Sequence, residues 1–389
     1  AGTVRLASSL QWRNGLSVYG GEPRAVELKS RIKSYLWPRS GWRRAGLFTC
    51  GAITVFAAAA GASQKPNGTN QEIRKVRVTA QPVGSFLKSG AETRQFGSLR
   101  FRGGLVLDAD DKAFGGYSGL EISPDGKAFM AVSDAGTWMR AELVTARGVP
   151  AGIVRARIGP LLALRGRRLV RAKDRDAEAL RLIKGTLTDG IALVAFERNQ
   201  RIGTFKIANG ELRAPVRYLR PPRRLPFNKG LEAAALITSG TFKGSVLAFA
   251  ERSIDANGHH RGWIWVKGKA RAIALTDVGG FNVTDIAFGP DGALYVLERR
   301  FRWSEGVKMR IRRIESAAVK PGALLDGRVL MRADMRHEID NMEGLALHRD
   351  RRGSLILTLI SDDNFNSFLQ RTLLLQFEVI EQKRKRPKA

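Results

Sequence analysis

Five hairpins in this sequence carry their turns and their charged ends in matching positions, and this repetition constrains the fold more than any other feature. In three of them, two acids stand 19 residues apart around a turn-like stretch: Glu178 and Glu197, Glu232 and Glu251, Glu343 and Asp362. Two shorter hairpins follow the same geometry around Pro-Asp-Gly turns, with these opposed residues: Asp134 and Ser118, Glu298 and Asp285. Residues equidistant from the turn of an antiparallel hairpin are neighbours, so each pair is predicted to lie side by side.

The hairpins begin near residues 118, 178, 232, 284 and 343, so the repeat is between 52 and 60 residues long. Short apolar runs separated by Gly, Asn and Asp fill the sequence from about residue 76 onward, and they are typical of buried strands. No amphipathic helix longer than three turns is evident. A repeat of about 50 residues with four strands is typical of one blade of a β-propeller.

The predicted fold class is therefore all-β, as a single β-propeller with six four-stranded blades. Segments 71–117 and 366–380 would supply the strands beyond the five hairpins, and the run at 373–379 would pair with a strand at 76–78 to close the ring. An array of β-sandwiches is the alternative. A closed ring is favoured because it leaves no long unpaired edge on so many short strands.

Residues 1–63 are predicted to be an N-terminal extension with a signal peptide, which places the protein in the periplasm or outside the cell. Arg43 and Arg44 precede an apolar core at 45–60 and the small residues at 60–62, and the paired arginines resemble a twin-arginine signal. The apolar core is shorter than the ~20 residues of a membrane-spanning helix. An uncleaved anchor is the alternative. The propeller is predicted over 71–380 and a basic tail over 381–389.

The net charge of +30 favours anionic ligands in general. The basic residues are scattered along the chain, and no helix-turn-helix, zinc finger or RNA-binding motif is present, so nucleic acid is not the expected partner. The expected partner is a small anionic or ester substrate, bound by a monomer without a stable membrane span. The only cysteine, Cys50, lies in the apolar core of the signal peptide, so thiol chemistry and disulfides are not expected in the mature protein.

In a propeller the first strand of each blade lines the central channel, so equivalent ends of these strands meet at the channel mouth. The paired acids are therefore predicted to converge there, with Asp363 as a further neighbour. Clusters of oxygen ligands suit hard cations, and the expected cofactor is Ca²⁺. The predicted metal ligands are Asp134, Glu197, Glu251, Asp285, Glu298 and Asp362. The predicted catalytic residues, which would orient a water molecule, are Glu178, Glu232 and Glu343.

Three acids of second strands are followed directly by an arginine, and these are Arg198, Arg252 and Arg299. Two interpretations stay open at this point. The arginines can bind an anionic substrate through bidentate hydrogen bonds, or they can neutralise the acids in a purely structural ring. Asparagines precede the acids of three first strands and are predicted to contact substrate or to complete a calcium cage: Asn228, Asn282 and Asn341.

The sequence resembles the phytase-like family, also described as "esterase-like activity of phytase", of exported bacterial β-propeller proteins. The matching segments are Ser118-Gly119-Leu120-Glu121, Asp176-Ala177-Glu178-Ala179-Leu180, Asn228-Lys229-Gly230-Leu231-Glu232, Phe281-Asn282-Val283-Thr284-Asp285-Ile286-Ala287, Asn341-Met342-Glu343-Gly344-Leu345-Ala346 and Ile360-Ser361-Asp362-Asp363-Asn364. The resemblance implies the propeller fold, export, and hydrolysis of phosphoesters or esters. The aspartate-rich motifs of the calcium-dependent β-propeller phytases are not found in this sequence.

Three functions follow as hypotheses. The first is an exported hydrolase of phosphoesters or carboxylic esters with a calcium-binding ring of acids. The second is a non-catalytic propeller that binds a protein or an anionic ligand and uses its acids and arginines as structural bridges. The third is a lactonase-like calcium-dependent propeller, in which the three asparagines join the acids around one ion.

Overall fold

Twenty-four β-strands make up nearly all the regular structure in the part of the chain that the computed structural model describes, which is residues 72–223, 225 and 230–380. In chain order they are β1 (Arg74–Lys75), β2 (Thr79–Val83), β3 (Gln95–Phe96), β4 (Leu99–Asp108), β5 (Tyr117–Ile122), β6 (Ala128–Ser133), β7 (Thr137–Ala146), β8 (Val149–Pro160), β9 (Ala177–Gly185), β10 (Gly190–Phe196), β11 (Arg201–Ala208), β12 (Glu211–Leu219), β13 (Leu231–Leu236), β14 (Val246–Ile254), β15 (His260–Val266), β16 (Lys269–Leu275), β17 (Asn282–Phe288), β18 (Leu294–Arg302), β19 (Gly306–Ile314), β20 (Leu324–Leu325), β21 (Arg328–Ala333), β22 (Asn341–Arg349), β23 (Leu355–Asp362) and β24 (Thr372–Val379). The helical elements of these residues are short, namely α1 (Ala172–Arg175) and the 3-10 turns Leu164–Gly166 and Ser316–Ala318. The prediction of an all-β fold is confirmed.

The strands form five sheets, which we call blades I to V. Blade I contains β5–β8 with β1 at its outer edge, and blade II contains β9–β12. Blade III contains β13–β16 and β20, and blade IV contains β17–β19 and β21. Blade V contains β22–β24, β4 and β2, with β3 paired to β4. The first strands β5, β9, β13, β17 and β22 contact one another in turn, and β22 contacts β5, so the blades form a closed propeller.

The described residues form five blades, so the predicted sixth blade is not confirmed; strands from the two segments assigned to it complete blade V instead. Strand β24 pairs with β23 on one side and with β4 on the other, from Thr372 opposite Leu107 to Val379 opposite Leu99. The prediction that N- and C-terminal strands pair to close the ring is confirmed. The N-terminal partner is β4 and not the predicted segment 76–78, which lies between β1 and β2. Strand β1 lies on the edge of blade I, where Arg74 pairs with Ile158.

Buried apolar side chains fill each of the five interfaces between neighbouring blades. Leu120 of blade I packs with Ile360 of blade V, for example, and Phe249 of blade III packs with Val283 of blade IV. Both faces of the inner strands are covered by neighbouring blades. This burial explains why the strands read as continuous apolar runs in the sequence rather than as an alternating pattern.

Every first strand contains a β-bulge near its beginning, where the pairing with the second strand skips one residue. The skipped residues are Ser118, Glu178, Glu232, Thr284 and Glu343. A bulge leaves one residue out of the ladder and turns its side chain away from the regular alternation. The five equivalent bulges therefore place five equivalent side chains at the channel mouth.

Several predictions concern residues outside this described part of the chain: the signal peptide within 1–63, the tail 381–389 and Asn228. Among the described residues, no helix has the length and apolar character needed to cross a membrane.

Candidate functional site

Eight acids meet at the channel mouth, and we call them the acid ring: Asp134, Asp176, Glu178, Glu197, Glu232, Glu251, Glu343 and Asp362. Each first-strand glutamate lies at a bulge. Among the second-strand acids, Asp134 and Glu197 directly follow their strands, Asp362 is the last residue of its strand, and Glu251 lies within its strand. Backbone hydrogen bonds align the two positions, since the amide of Glu197 donates to the carbonyl of Asp176 and that of Glu251 to the carbonyl of Gly230. The predicted convergence is thus observed for seven of the nine paired acids.

Two groups of carboxylates within the ring are close enough to share a ligand. Oxygen atoms of Asp176, Glu178 and Glu197 lie within 4.8 Å of one another, and so do those of Glu197, Glu232 and Glu251. Glu197 belongs to both groups. Asp176, which directly precedes β9, is a member that the hairpin spacing did not predict.

Asp285 and Glu298, which were predicted to belong to this site, lie outside the ring, because each is one residue away from the position that faces the ring in the other blades. Thr284 is the bulged residue, and Asp285 pairs with Leu297 instead. Glu298 is fully buried within its blade, where Arg310 holds it with contacts of 2.7 and 2.8 Å and Arg312 with one of 2.6 Å. Successive strand residues face opposite sides. Arg299 therefore occupies the ring position that was predicted for an acid.

Asp285 lies deeper in the channel, where it binds Arg181 from the first strand of blade II. The guanidinium of Arg181 is 2.5 Å from the carboxylate of Asp285, and it also donates to the carbonyls of Leu120, Leu180 and Ile286. These contacts join the first strands of blades I, II and IV across the channel. Sequence reasoning missed Arg181, although an arginine inside an apolar strand that must be buried is a usable signal.

The three predicted arginines all contact carboxylates. Arg299 Nη2 lies 3.3 Å from Glu343 Oε1 and 3.8 Å from Glu251 Oε1. Arg198 Nε lies 3.0 Å from Asp176. Arg252 Nε lies 3.2 Å from Glu251, and its side chain is half exposed. Arg299 is the most enclosed of these arginines, so it is the one placed to hold an anion inside the site.

The asparagines and Asp363 differ in whether their side chains contact the acid ring. The Nδ2 atom of Asn341 donates to Glu343 Oε1 at 2.8 Å and to Asp362 Oδ2 at 3.4 Å. Asn282 pairs with Arg299 through the backbone register, and its side chain makes no hydrogen bond to the ring within the described residues. Asp363 has a structural role, because it accepts hydrogen bonds from the amide of Gly116 and the hydroxyl of Thr372.

The charge of the ring is unevenly compensated. Its ion pairs reach Asp176, Glu251 and Glu343, whereas Glu178, Glu197 and Glu232 make no ion pair with a lysine or arginine in the described residues. Burial raises the pKa of Glu178 and of Glu232 well above the ordinary value, and neighbouring carboxylates raise both further. The side of the ring near blades II and III is thus an enclosed, uncompensated group of oxygens.

This electrostatic arrangement predicts that the metal-free protein loses stability as the pH rises from 6.5 to 9. A carboxyl group with a raised pKa binds more protons when folded than when unfolded, so its contribution is lost as the pH rises through the folded value. The buried His348, whose pKa is lowered to about 4, has the opposite effect, but only below its unfolded pKa of about 6.5. Urea unfolding in a chelator at pH 6.5 and 8.5 measures the effect. A variant with Glu178→Gln and Glu232→Gln should show a flatter profile, and an equal slope in both proteins would contradict the prediction.

A cleft of about 880 Å³ opens beside the ring between blades IV and V. Its inner end is lined by Arg299, Asn341 and Glu343, and its outer part is lined by side chains of the loops at 301–307, 335–340 and 364–371. The volume is typical of small-molecule sites. The cleft therefore leads from solvent to the side of the ring that contains an arginine.

Comparison with known proteins agrees with this arrangement. A family model described as "Phytase-like: Esterase-like activity of phytase" matches residues 112–365, which include all five first strands and every acid of the ring. No curated protein matches the chain at a significant level. With well over half of its length matched, this chain belongs to the phytase-like family of β-propeller proteins.

Proposed function

We propose that this protein is an exported hydrolase of phosphoesters or carboxylic esters, and that its acid ring holds a Ca²⁺ ion. The observation that carries the proposal is the pair of carboxylate groups that share Glu197. Three of their members, Glu178, Glu197 and Glu232, make no ion pair with a basic residue among the described residues. Membership of the phytase-like family supports a hydrolase-like propeller. Export rests on the pattern of basic, apolar and small residues at 43–62.

The residues at this side of the ring fit a hard divalent cation. Their donors are all carboxylate oxygens, which Ca²⁺ prefers over the nitrogen and sulfur ligands of zinc. The ligands would be Asp176, Glu178, Glu197, Glu232 and Glu251. A bound cation would polarise a phosphoryl or carbonyl oxygen and lower the pKa of a water molecule.

The other side of the ring would position the substrate. Arg299 faces the cleft and carries a fixed positive charge that can hold an anionic ester group. Glu343 lies against Arg299 and accepts a hydrogen bond from Asn341, which fixes the orientation of its carboxylate. Burial raises the pKa of Glu343. A carboxyl group with a raised pKa is suited to accept a proton from water and to return it to a leaving group.

A non-catalytic propeller is the second candidate, and one observation favours it. Arg198, Arg252 and Arg299 each form an ion pair with an acid at the channel mouth, as expected if these charges only neutralise one another. This candidate predicts that calcium has no effect on stability. The two candidates therefore differ in one simple measurement.

Calcium is expected to raise the melting temperature of the full-length protein at pH 8, after prior treatment with a chelator. Ligand binding to the folded state stabilises it by about 2.7 kcal/mol when the free concentration is 100 times Kd. The variant Glu197→Gln should lose most of this shift, because Glu197 belongs to both carboxylate groups. The control is Glu142→Gln, which removes an acid from an ion pair with Arg155 on the surface of blade I.

Activity should be measured in parallel on 4-nitrophenyl phosphate, 4-nitrophenyl acetate and a simple lactone, with calcium and with chelator. The lactone tests the lactonase-like alternative. Equal melting temperatures with calcium and with chelator, together with no turnover of any substrate, would reject the proposal and leave the non-catalytic propeller.

A further inference from the structure

The outer part of the cleft beside the acid ring has an apolar floor. Phe301, Val307, Met335, Ile339 and Leu369 line it, whereas the polar groups Arg299, Asn341 and Glu343 are at the inner end. The outer part also contains polar side chains, namely Lys88, Glu338, Asp340, Asn364, Asn366, Gln370 and Arg371. One continuous cleft thus has a charged inner end and an outer part in which apolar side chains lie beside polar ones. A ligand that fills both ends must itself have a charged part and an apolar part.

The apolar surface continues beyond the cleft onto two loops of the same face. Phe301 and Leu369 are 49% and 72% exposed, and Trp303 and Phe368 next to them are 88% and 93% exposed. The rings of Phe301 and Trp303 pack edge to face at 5.4 Å. Contiguous apolar groups of this kind on a soluble surface usually mark a binding site. Their continuity with the cleft indicates that ligand, and not a separate partner, covers them.

The charges at the cleft mouth indicate the sign of the ligand. Lys88 lines the cleft and makes no ion pair in the described residues, whereas the exposed Arg302, next to Trp303, is paired with Glu305 at 3.1 Å. Arg371 is also in the lining, where Glu338 compensates it at 2.9 Å. Lys88 is therefore an uncompensated cation of the cleft lining, and it complements an anionic group close to an apolar chain.

We propose that the substrates of this site are amphiphilic, with an anionic ester group held at Arg299 and an alkyl, acyl or aryl chain lying in the apolar part of the cleft. This inference rests on the proposed function for the identity of the ester group. Binding of the substrate's apolar chain depends only on the cleft, so this binding can be measured without turnover. Each cleft binds the apolar chain of one substrate molecule, in contrast to adsorption of the protein onto a membrane.

The test measures the affinity of the full-length protein for monoalkyl phosphates of four, eight and twelve carbons, by calorimetry below their critical micelle concentrations and in chelator. Burial of a methylene group is worth about 0.8 kcal/mol, so affinity should rise up to about fourfold per added methylene. A double variant with Phe301→Ser and Leu369→Ser should lose most of this increase and keep its affinity for butyl phosphate. The control Val216→Ser changes an exposed apolar residue on the outer strand of blade II and should behave like the wild type.

Equal affinities for all three chain lengths would overturn the proposal, as would an unchanged slope in the double variant. Binding to anionic phospholipid vesicles without any dependence of soluble ligands on chain length would also overturn it, and it would identify the loops as a membrane contact. If the protein binds these ligands but is not a hydrolase, turnover would be absent, while the dependence of affinity on the length of the alkyl chain would persist.

Discussion

Replacing Arg181 with methionine is expected to lower the free energy of unfolding by about 3–5 kcal/mol, because it leaves a buried carboxylate without its partner. Arg181 is almost completely buried, and it joins three first strands through Asp285 and the carbonyls of Leu120 and Ile286. Removing it also leaves these carbonyls without a donor. Urea unfolding at pH 7 measures the change.

A second substitution separates the lost ion pair from the lost packing. Adding Asp285→Asn to Arg181→Met removes the unpaired charge, so the double variant should be more stable than the single one. The control is Arg155→Met, whose exposed ion pair with Glu142 should be worth at most about 1 kcal/mol. A loss in Arg181→Met no larger than in this control would show that the stability of the propeller does not depend on the Arg181–Asp285 ion pair.

The double variant Glu232→Gln, Glu343→Gln is expected to lose activity by at least about 100-fold, the smallest effect usual for a general acid or base. Glu232 belongs to the proposed cation site, and Glu343 lies where the cleft meets the ring. Glutamine keeps the size of both side chains and removes their charge. The measurement is kcat and KM on whichever substrate the wild type hydrolyses best, with saturating calcium.

Stability should change in the opposite direction. Both glutamates are buried among other carboxylates, and burial raises the pKa of each. Their replacement should therefore stabilise the metal-free protein at pH 8.5, which also shows that the variant is folded. Unchanged kcat in this variant would contradict the assignment of the ring as a reaction site.

The position of the ring was predictable from sequence, because hairpin geometry depends only on the turn and on equal distances from it. The acid pairs of blades II, III and V, which contain Glu178, Glu232 and Glu343, are all found at the channel mouth. The error occurred in blade IV, where the bulge lies at Thr284, as in the other blades, but the two acids are one residue away from the equivalent positions. Since strand side chains alternate, this single step moves Glu298 into the blade and brings Arg299 to the ring.

Local patterns by themselves determined the all-β fold, the repeat and most of the acids, since turn residues, apolar runs and equal spacing act between neighbours in the chain. Only the tertiary structure decided the number of blades, because β24 and β4 meet through pairing between residues more than 250 positions apart. It also decided which acids are compensated. Whether a carboxylate has a cation beside it depends on groups from other blades, such as Arg181 for Asp285. The charge left uncompensated at Glu178, Glu197 and Glu232 is a property of the closed ring, which no single hairpin contains.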